Sequence, residues 1–327
     1  MRTVAQSRYG SPDVLEIRET VRPTPANGEV LVRVHATTVT ATEAVFRQGK
    51  PYVSRLFTGI GKPKMETLGE ELAGQVIAVG EGVTMFSVGD QVFGTAGPRF
   101  GAAAEYLCVP EAGVIAHAPK NLTSAEAAAS VDGFLTALPF LRDTGTIHSG
   151  QKVLINGASG SVGAAAVQVA KFHGAEVTGV CSTANMAFVK SLGADSVIDY
   201  TKEDFTTRRS EFDIIFDAVG KAKFRKCRKA LKPKGVFLEA GMNMGVMFTV
   251  LFTSLFGGRK AKIAATGLRP EADRLKDLHL LKSLLEDGTI VPAINRTYGL
   301  DEIREAHRYV DTGRKRGNVV VSVAAGT

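Results

Sequence analysis

The sequence predicts an α/β protein in which a doubly wound parallel sheet domain is inserted into a mostly β domain. Short valine-rich runs separated by Gly, Pro and Asp fill the first third of the chain and are typical of a compact β domain. From about Thr123, apolar runs alternate with segments long enough to form helices, a pattern typical of a parallel sheet covered on both faces. At 327 residues, the chain is longer than a single hydrophobic core usually supports, which favours two domains.

The apolar runs set the expected elements. The β domain is expected to contain strands at 30–34, 74–79 and 91–93. Strands buried on both faces are continuous apolar stretches, and five such stretches lie at 153–156, 176–181, 196–198, 214–216 and 236–238. The last part of the chain is expected to form two helices and a final strand, at 275–286, 301–310 and 319–323.

Charge, cysteine content and hydropathy limit the classes of function. A net charge of +7 favours anionic partners, but it does not choose among nucleic acid, a membrane surface and a phosphorylated cofactor. Three cysteines without a C-x-x-C pair favour a reducing compartment, and residues 1–20 lack an apolar leader, so we expect a cytoplasmic protein. The most apolar stretch, 246–256, has 11 residues, whereas a membrane span needs roughly 20. We interpret it as a buried or subunit-facing segment.

The strongest motif is a glycine-rich turn between an apolar run and an alanine-rich helical segment, in VLINGASGSVGAAAVQVAK. Small residues keep such a turn tight and let the backbone approach a diphosphate, which the amides at the helix N-terminus then bind. Gly160 and Gly163 are assigned to these tasks, although Ala158 stands where the first glycine of G-x-G-x-x-G is expected. The predicted cofactor-binding residues of the turn are Ala158, Ser159, Gly160, Ser161, Val162 and Gly163.

The end of the next strand predicts which dinucleotide is preferred. Proteins that prefer NAD usually carry an acid there, which accepts hydrogen bonds from the ribose 2′-hydroxyl. In this chain the strand ends in Val180-Cys181-Ser182-Thr183, without an acid. Ser182 and Thr183 can donate hydrogen bonds to a 2′-phosphate, so the sequence predicts NADPH in preference to NADH.

The chain resembles the medium-chain dehydrogenase/reductase superfamily, specifically its zinc-free quinone oxidoreductase branch related to zeta-crystallin. The resemblance covers essentially the full length and is carried by motifs in the same order, among them YGSPDVLEI, LGEELAGQVIAVGEGVTMFSVGDQVFG, NGASGSVG, SLGADSVIDY and FDAVG. It implies a GroES-like β-barrel domain made of residues 1–122 and 266–327, with a Rossmann domain at 123–265 inserted into it. It also implies a homodimer, since dimers are common in the family.

The same resemblance implies that zinc is absent. Zinc-dependent relatives carry G-H-E-x-x-G, and this chain has Glu70 at the histidine position. Their cysteine ligand aligns with Thr40, whose neutral hydroxyl is a poor substitute for a thiolate. The four-cysteine lobe that holds structural zinc is also missing. A carboxylate-only site made of Glu43, Glu70 and Glu71 is conceivable, but hydrogen bonding by these residues is the expected outcome.

The resemblance further implies hydride transfer to a quinone or an enone. A conjugated acceptor delocalises the developing charge and needs less polarisation by a metal than a simple ketone does. Thr136 matches a position near the nicotinamide, and Thr40 matches an asparagine on the substrate side of relatives. Tyr52 is the best candidate for a proton donor. Further cofactor-binding residues follow from the alignment, namely Asn185, Tyr200, Ala218, Val219, Ala240, Gly241 and Asn318.

Three other interpretations stay open at this point. Residues 221–234 contain eight basic residues and no acid, which would suit nucleic acid, although Phe224, Cys227 and Leu231 are spaced as a core-facing stripe. A second alternative is a non-catalytic NADPH sensor or an envelope- or RNA-associated binding protein, since Thr40 departs from the family pattern. A third is an alcohol dehydrogenase.

Overall fold

The computed structural model describes residues 1–241, 244–255 and 258–323. These residues divide into two compact units. The first unit comprises Met1–Val131, Pro270–Asp287 and the described residues from Pro292 onward, and the second comprises Asp132–Arg269 and Gly288–Val291. The boundaries predicted from the sequence, 122/123 and 265/266, lie nine and four residues before the divisions at 131/132 and 269/270, and they stay predictions.

The chain alternates strands and helices in the second unit and is mostly β in the first. The strands of the first unit are β1 Arg2–Gln6, β2 Leu15–Glu19, β3 Glu29–Thr38, β4 Glu71–Val79, β5 Gln91–Thr95, β6 Tyr106–Pro110, β7 Ile115–His117, β14 Ile294–Gly299 and β15 Asn318–Ser322. Its helices are α1 Ala41–Gln48, α2 Arg55–Thr58, α8 Glu271–Glu286 and α9 Ile303–Asp311. Helix α3, Ser124–Pro139, runs across the boundary between the units.

The second unit is built around a parallel sheet. Its strands are β8 Lys152–Asn156, β9 Glu176–Cys181, β10 Ser196–Asp199, β11 Phe212–Asp217, β12 Leu231–Glu239 and β13 Lys260–Lys262. Its helices are α4 Ser161–Phe172, α5 Met186–Ser191, α6 Phe224–Cys227 and α7 Met244–Leu255, in addition to the end of α3.

A seven-stranded sheet forms the first unit, in the order β14-β15-β3-β4-β5-β7, with β6 paired to β3. Strand β3 is long enough to hold two partners in succession along its length: Glu29 to Arg33 pair with β6, and Ala36 to Thr38 pair with β15. Its valines alternate into the core and meet those of β15. The C-terminal strand therefore completes a sheet that begins near the N-terminus.

All six strands of the second unit are parallel, in the order β10-β9-β8-β11-β12-β13. Val153, Leu154 and Ile155 of β8 are fully buried, as expected for a strand covered on both faces. From β8 the chain builds outward to β10, and it then returns to place β11 on the other side of β8. The sheet therefore has a topological switch point between β8 and β11, where ligands bind outside the carboxyl ends of the strands. The predicted fold class is confirmed.

Two details differ from the sequence prediction. The apolar stretch at 246–256, predicted to be buried or subunit-facing, forms most of α7, and five of its large side chains are exposed on the chain, so they are not buried within it. Residue 256 lies outside the described residues. Cys227 and Leu231 are buried as predicted, yet they do not share a helix, because α6 ends at Cys227 and Leu231 begins β12.

Candidate functional site

The turn between β8 and α4 depends on three glycines with different tasks. Gly157 has φ of 79°, and a Cβ there would lie 2.2 Å from Cγ2 of Val219. Gly163 packs the helix against the turn, because a Cβ on it would lie 2.0 Å from the carbonyl oxygen of Gly157. Gly160 is the N-cap of α4, and a Cβ there would meet only that same oxygen, at 3.5 Å. The strictly steric demands therefore fall on Gly157 and Gly163, and Gly160 leaves open space beside the helix N-terminus.

This arrangement fits a diphosphate. The first amides of a helix have no acceptor within the helix, and the helix dipole favours negative charge there. The turn itself is fixed, since the amides of Gly157 and Ala158 both donate to the carbonyl oxygen of Val180, at 3.1 and 3.0 Å. Ala158 is fully buried, so it supports the turn through packing. Ser161, at the start of α4, donates from Oγ to Asp132 at 3.3 Å.

The carboxyl ends of β8, β11 and β12 are joined by Asp217, which is completely buried. Its Oδ1 accepts hydrogen bonds from Asn156 Nδ2 at 2.9 Å and from the amide of Val219 at 3.1 Å. Its backbone oxygen accepts from the amide of Ala240 at 3.0 Å. Asp217 therefore holds in place the backbone on which the predicted residues Ala218, Val219, Ala240 and Gly241 lie.

Ser159, Ser182 and Asn185 come together at the carboxyl end of β9. The amide Nδ2 of Asn185 lies 3.2 Å from Oγ of Ser159 and 3.3 Å from Oγ of Ser182. The structure thus connects the glycine turn with the strand end that was predicted to contact the adenosine ribose.

Thr183 is arranged differently from the expectation. Its hydroxyl donates a short hydrogen bond to Asp199, at the end of β10, so this proton is directed to a carboxylate. Hydrogen bonds from Thr183 and from Thr201 lower the pKa of Asp199 to about 2, and the group is therefore an anion at neutral pH. An acid is present beside this region after all, on the neighbouring strand. Tyr200 follows Asp199 and is largely exposed.

The remaining predicted cofactor residues, and Thr136, which was predicted as a catalytic residue, lie in separate parts of the fold. Val162 is on the first turn of α4, and Thr136 is half-buried on α3 within the second unit. Asn318 belongs to the first unit, where it begins β15 and is buried. Its Nδ2 donates to the carbonyl oxygen of Ala293 at 3.2 Å, so this side chain has a defined structural partner.

Thr40 is the N-cap of α1. Its Oγ1 accepts a hydrogen bond from the amide of Glu43 at 3.1 Å, and Oε2 of Glu43 accepts from the amide of Thr40 at 3.0 Å. This reciprocal capping box satisfies two backbone donors at the start of the helix. The bond to Oγ1 uses an acceptor site of the hydroxyl and not its proton.

Tyr52 is 68% exposed and lies in a short 3₁₀ turn before α2. The guanidinium carbon of Arg55 is 4.9 Å from the centroid of its ring and 4.4 Å from that of Tyr9. Arg55 also donates from Nε to the carbonyl oxygen of Gly49 at 3.0 Å. Stacking of Arg55 against both rings orients Tyr52 in an otherwise exposed turn.

The three carboxylates of the conceivable carboxylate-only metal site, Glu43, Glu70 and Glu71, are bonded to protein groups. Glu71 accepts from Oγ1 of Thr38 at 2.5 Å, and Oε1 of Glu43 accepts from the amide of Gly69 at 2.6 Å. Glu70 forms an ion pair with Arg274 at 3.5 Å. Within residues 1–241, 244–255 and 258–323, no group of three or more His, Cys, Asp or Glu side chains is arranged to hold a metal ion.

Sequence reasoning missed three residues of this site. Gly157 was detectable as an Asn-Gly pair directly after a strand, which signals a tight turn. Asp217 was detectable as an acid ending the apolar run of β11. Asp199 carried no local signal, because its effect on Thr183 arises only when β9 and β10 pair side by side.

Comparison with known proteins identifies the family. An alcohol dehydrogenase GroES-like domain model matches residues 26–120, and a zinc-binding dehydrogenase model matches residues 192–321. The chain is 33% identical to a 2-methylene-furan-3-one reductase of Solanum lycopersicum, over 98% of this chain and 79% of that protein. It is 31% identical to the chloroplastic NADPH-dependent alkenal/one oxidoreductase of Arabidopsis thaliana, with the same coverage.

A solved structure agrees with these relatives. The quinone oxidoreductase of Coxiella burnetii superposes with a TM-score of 0.87 at 28% identity, covering 99% of both chains. The chain belongs to the medium-chain dehydrogenase/reductase superfamily, in its quinone oxidoreductase branch. The resemblance stated from the sequence motifs is confirmed, and with it the assignment as an oxidoreductase.

The helices carry one further finding for this member of the family. Within the described residues, each helix is too short or too polar to cross a bilayer.

Proposed function

We propose that this chain transfers hydride from NADPH to a quinone or an α,β-unsaturated carbonyl compound without zinc. The observation that carries the proposal is the β8–α4 turn, where Gly160 leaves open space in front of the first amides of α4. A diphosphate is the group that such a turn binds in dinucleotide-binding domains. The reductase and quinone oxidoreductase names of its relatives support the acceptor class.

Two observations favour NADPH over NADH, and one negative charge disfavours it. Ser182 and the amide group of Asn185 present polar hydrogens at the end of β9, where the ribose 2′-position is expected. A relative is named as NADPH-dependent. Asp199 opposes this preference, because its negative charge lies beside Thr183 on the neighbouring strand. We therefore propose a modest preference for NADPH.

Zinc independence follows from the donor set. Catalytic zinc is held by thiolate, imidazole and carboxylate ligands with an open position for substrate. Here the relevant positions are occupied by a neutral hydroxyl, Thr40, and by Glu70, whose carboxylate is paired with Arg274. A hydroxyl that already caps a helix does not supply the charge that such a site needs.

The chain's own residues would position the cofactor and the acceptor and would protonate the reduced acceptor. When bound, reduced nicotinamide supplies the hydride. The amides of α4 bind the diphosphate, and the backbone fixed by Asp217 supports the nicotinamide half through Ala240 and Gly241. We propose that Tyr52, oriented by Arg55, donates the proton to the reduced acceptor and that Thr136 and Asn318 contact the nicotinamide. Thr40 would orient the acceptor through its hydroxyl proton while it caps α1.

A homodimer and a cytoplasmic location stay part of the proposal. Strand β13 is the last strand of the six-stranded sheet and has a neighbour on one side only among the described strands. Such an edge offers hydrogen-bonding groups to a second copy of the chain. Cys108, Cys181 and Cys227 are unpaired, which agrees with a reducing compartment.

The test is steady-state oxidation of NADPH and NADH with a panel of quinones, enones and aldehydes, with metal analysis of the same preparation. We expect turnover with quinones or enones, tighter binding of NADPH, substoichiometric zinc and full activity after chelation. Stoichiometric zinc with loss of activity on chelation would indicate an alcohol dehydrogenase instead. Cofactor binding without turnover of any acceptor would indicate a sensor.

The Tyr52→Phe variant in the same assay tests the proton donor. It keeps the ring over Arg55 and removes only the hydroxyl, so cofactor affinity should be unchanged while kcat falls by roughly 100-fold or more. An unchanged kcat would exclude Tyr52 from this role.

A further inference from the structure

Helix α7 has an apolar face that the chain leaves exposed. Met247, Phe248, Leu251, Phe252 and Leu255 are between 50% and 73% exposed. At 100° per residue, these five positions fall within an arc of about 140° on one side of the helix. We call them the α7 outer face. Residues 244–255 contain no charged side chain, so nothing on the helix itself makes this face polar.

The opposite face of α7 anchors the helix to the second unit. Val246 and Thr253 are buried, and they point away from the outer face by the same helical spacing. Oγ1 of Thr253 accepts a hydrogen bond from the amide of Ala261, in β13, at 3.1 Å. The helix is therefore held against the sheet by one side while its other side stays in contact with solvent.

Cations surround the start of α7. A cavity of about 390 Å³ lies between the N-terminal half of the helix and the segment that follows β11. Lys221, Lys223 and Arg225 line it and are exposed, whereas Phe237 and Val246 in its wall are buried. The cavity also has one acidic lining residue, Glu239, which is buried. An apolar wall beneath exposed cations fits a group that is anionic at one end and apolar at the other.

Further basic residues lie near these cations in the sequence. Residues 221–234 hold eight basic residues and no acid, and Arg259 and Lys260 follow α7. Apolar side chains flanked by lysine and arginine are the combination by which a peripheral helix lies in the surface of an anionic bilayer. Each such cation adds about 1 kcal/mol of attraction near a negative membrane surface.

We propose that the α7 outer face and the cations beside it bind the surface of a membrane that contains anionic lipids. The five apolar side chains would enter the boundary between headgroups and acyl chains, and Lys221, Lys223 and Arg225 would contact lipid phosphates. A second copy of the chain fits this face less well. A two-fold contact through it would bring the same cations of both copies toward each other, whereas anionic lipids neutralise them.

Vesicle co-sedimentation tests the proposal on the full chain. Wild-type protein is mixed with vesicles of phosphatidylglycerol and phosphatidylcholine, and with vesicles of phosphatidylcholine alone. We expect binding to the anionic vesicles that weakens as salt is raised, and little binding to the neutral ones. The Leu251→Gln/Phe252→Gln variant should lose at least tenfold in the partition coefficient. The Lys221→Gln/Lys223→Gln variant should lose roughly 30-fold in the partition coefficient.

Matched controls separate this surface from general effects. Leu268→Gln removes another exposed leucine outside α7, and Lys276→Gln/Arg314→Gln removes two cations elsewhere. Both controls should bind anionic vesicles like the wild type, and all variants should oxidise NADPH with a soluble acceptor at the wild-type rate. If the wild-type protein does not co-sediment with anionic vesicles, the proposal is overturned. It is also overturned by an α7 variant that still binds vesicles while light scattering shows a dimer converted to a monomer, because the face then serves a second copy.

Discussion

The hydroxyl proton of Thr183 bears on the expected choice between NADPH and NADH. Thr183 was expected to donate toward a 2′-phosphate, but its proton is directed to Asp199. The carboxylate stays ionised because Thr183 and Thr201 both donate to it, which holds its pKa at about 2. A negative charge within about 10 Å of the 2′-position disfavours a phosphate more than a hydroxyl. We therefore expect the cofactor preference to depend on Asp199 as well as on Ser182.

We expect Asp199→Asn to raise the affinity for NADPH relative to NADH by roughly three- to tenfold. The amide oxygen of asparagine can still accept from Thr183, so the local geometry should persist while the charge disappears. The affinity for NADH should change little, since NADH carries no 2′-phosphate. Fluorescence titration of both cofactors at low salt measures the ratio.

Asp195→Asn is the control for that comparison. Asp195 lies before the start of β10, at the opposite end of this strand from Asp199, and pairs with Lys171 at 2.8 Å. Its removal changes the net charge of the chain by the same amount. If both variants shift the ratio equally, the effect is one of net charge, and Asp199 has no specific role in cofactor choice.

At the scale of elements, different glycines of the β8–α4 turn are expected to serve packing and cofactor binding. Gly163 is required for packing, because its hydrogen faces the carbonyl of Gly157 at a distance that admits no Cβ. A Cβ on Gly160 would make only an ordinary van der Waals contact, at 3.5 Å from the carbonyl oxygen of Gly157, so a side chain there is tolerated by the fold. A substitution at Gly163 should therefore lower stability, whereas a substitution at Gly160 should lower the affinity for the cofactor.

We expect Gly163→Ala to destabilise the second unit by about 1 to 3 kcal/mol, as forced overpacking usually does, with a lower Tm. Gly160→Asp should keep the wild-type Tm and lose NADPH binding by more than 100-fold, since it places a carboxylate against the diphosphate. Differential scanning fluorimetry and fluorescence titration give the two readouts. Gly160→Ala, with normal Tm and intermediate affinity, completes the series. Unchanged affinity in Gly160→Asp would mean that the diphosphate binds elsewhere.

The elements that the sequence predicts well are those whose apolar pattern is decided by burial on both faces. The strand at 176–181 is β9 as observed, and the run at 153–156 lacks only Lys152 of β8. Elements with one exposed face are harder to predict from the sequence. Strand β14 is an example, because apolar and polar residues alternate only weakly in Ile294–Gly299. For α7, hydropathy alone does not tell a helix buried within its chain from one whose apolar face is exposed on the chain, so the sequence predicted a segment that is either buried or subunit-facing.

The site follows the same division. The turn residues around Gly160 were predictable because their spacing is local. Asp199 and Arg55 were not, because each acts on a predicted residue through a contact that only the folded chain brings about. Residue type and spacing therefore predicted the turn that we propose binds the diphosphate, and the pairing of β9 with β10 determines which hydroxyl protons beside it are already donated to protein groups.

At the scale of the whole molecule, both ends of the chain build the first unit. Arg47 of α1 is fully buried, and its NH2 group forms an ion pair with Asp311 of α9 at 2.6 Å, across 264 residues of sequence. Its NH1 group donates to the carbonyl oxygen of Gly10 at 2.9 Å. His307 of α9 is buried in the same region, and burial together with the positive charge of Arg47 lowers its pKa to about 3. The imidazole therefore stays neutral in the folded protein at all but strongly acid pH.

This burial makes stability depend on pH in a defined window. In the unfolded chain a histidine has a pKa near 6.5, so between pH 6.5 and about 3 the unfolded state binds one more proton than the folded state. The free energy of unfolding therefore rises with pH in this window. Because of His307, it should decrease by about 2 kcal/mol as pH falls from 7 to 5. Urea unfolding followed by circular dichroism at several pH values measures this slope.

His307→Gln isolates the contribution. The variant has no titrating group at this position, so its stability should vary less between pH 7 and 5 than that of the wild type, whatever its stability at pH 7. His35, whose pKa burial also lowers, contributes to the slope in both proteins and cancels in the difference. Carboxylates such as Asp199, with depressed pKa values, lose their contribution only at more acid pH and leave this window clear. Equal slopes in the two proteins would mean that His307 becomes protonated without unfolding, through an opening between α1 and α9 that admits water.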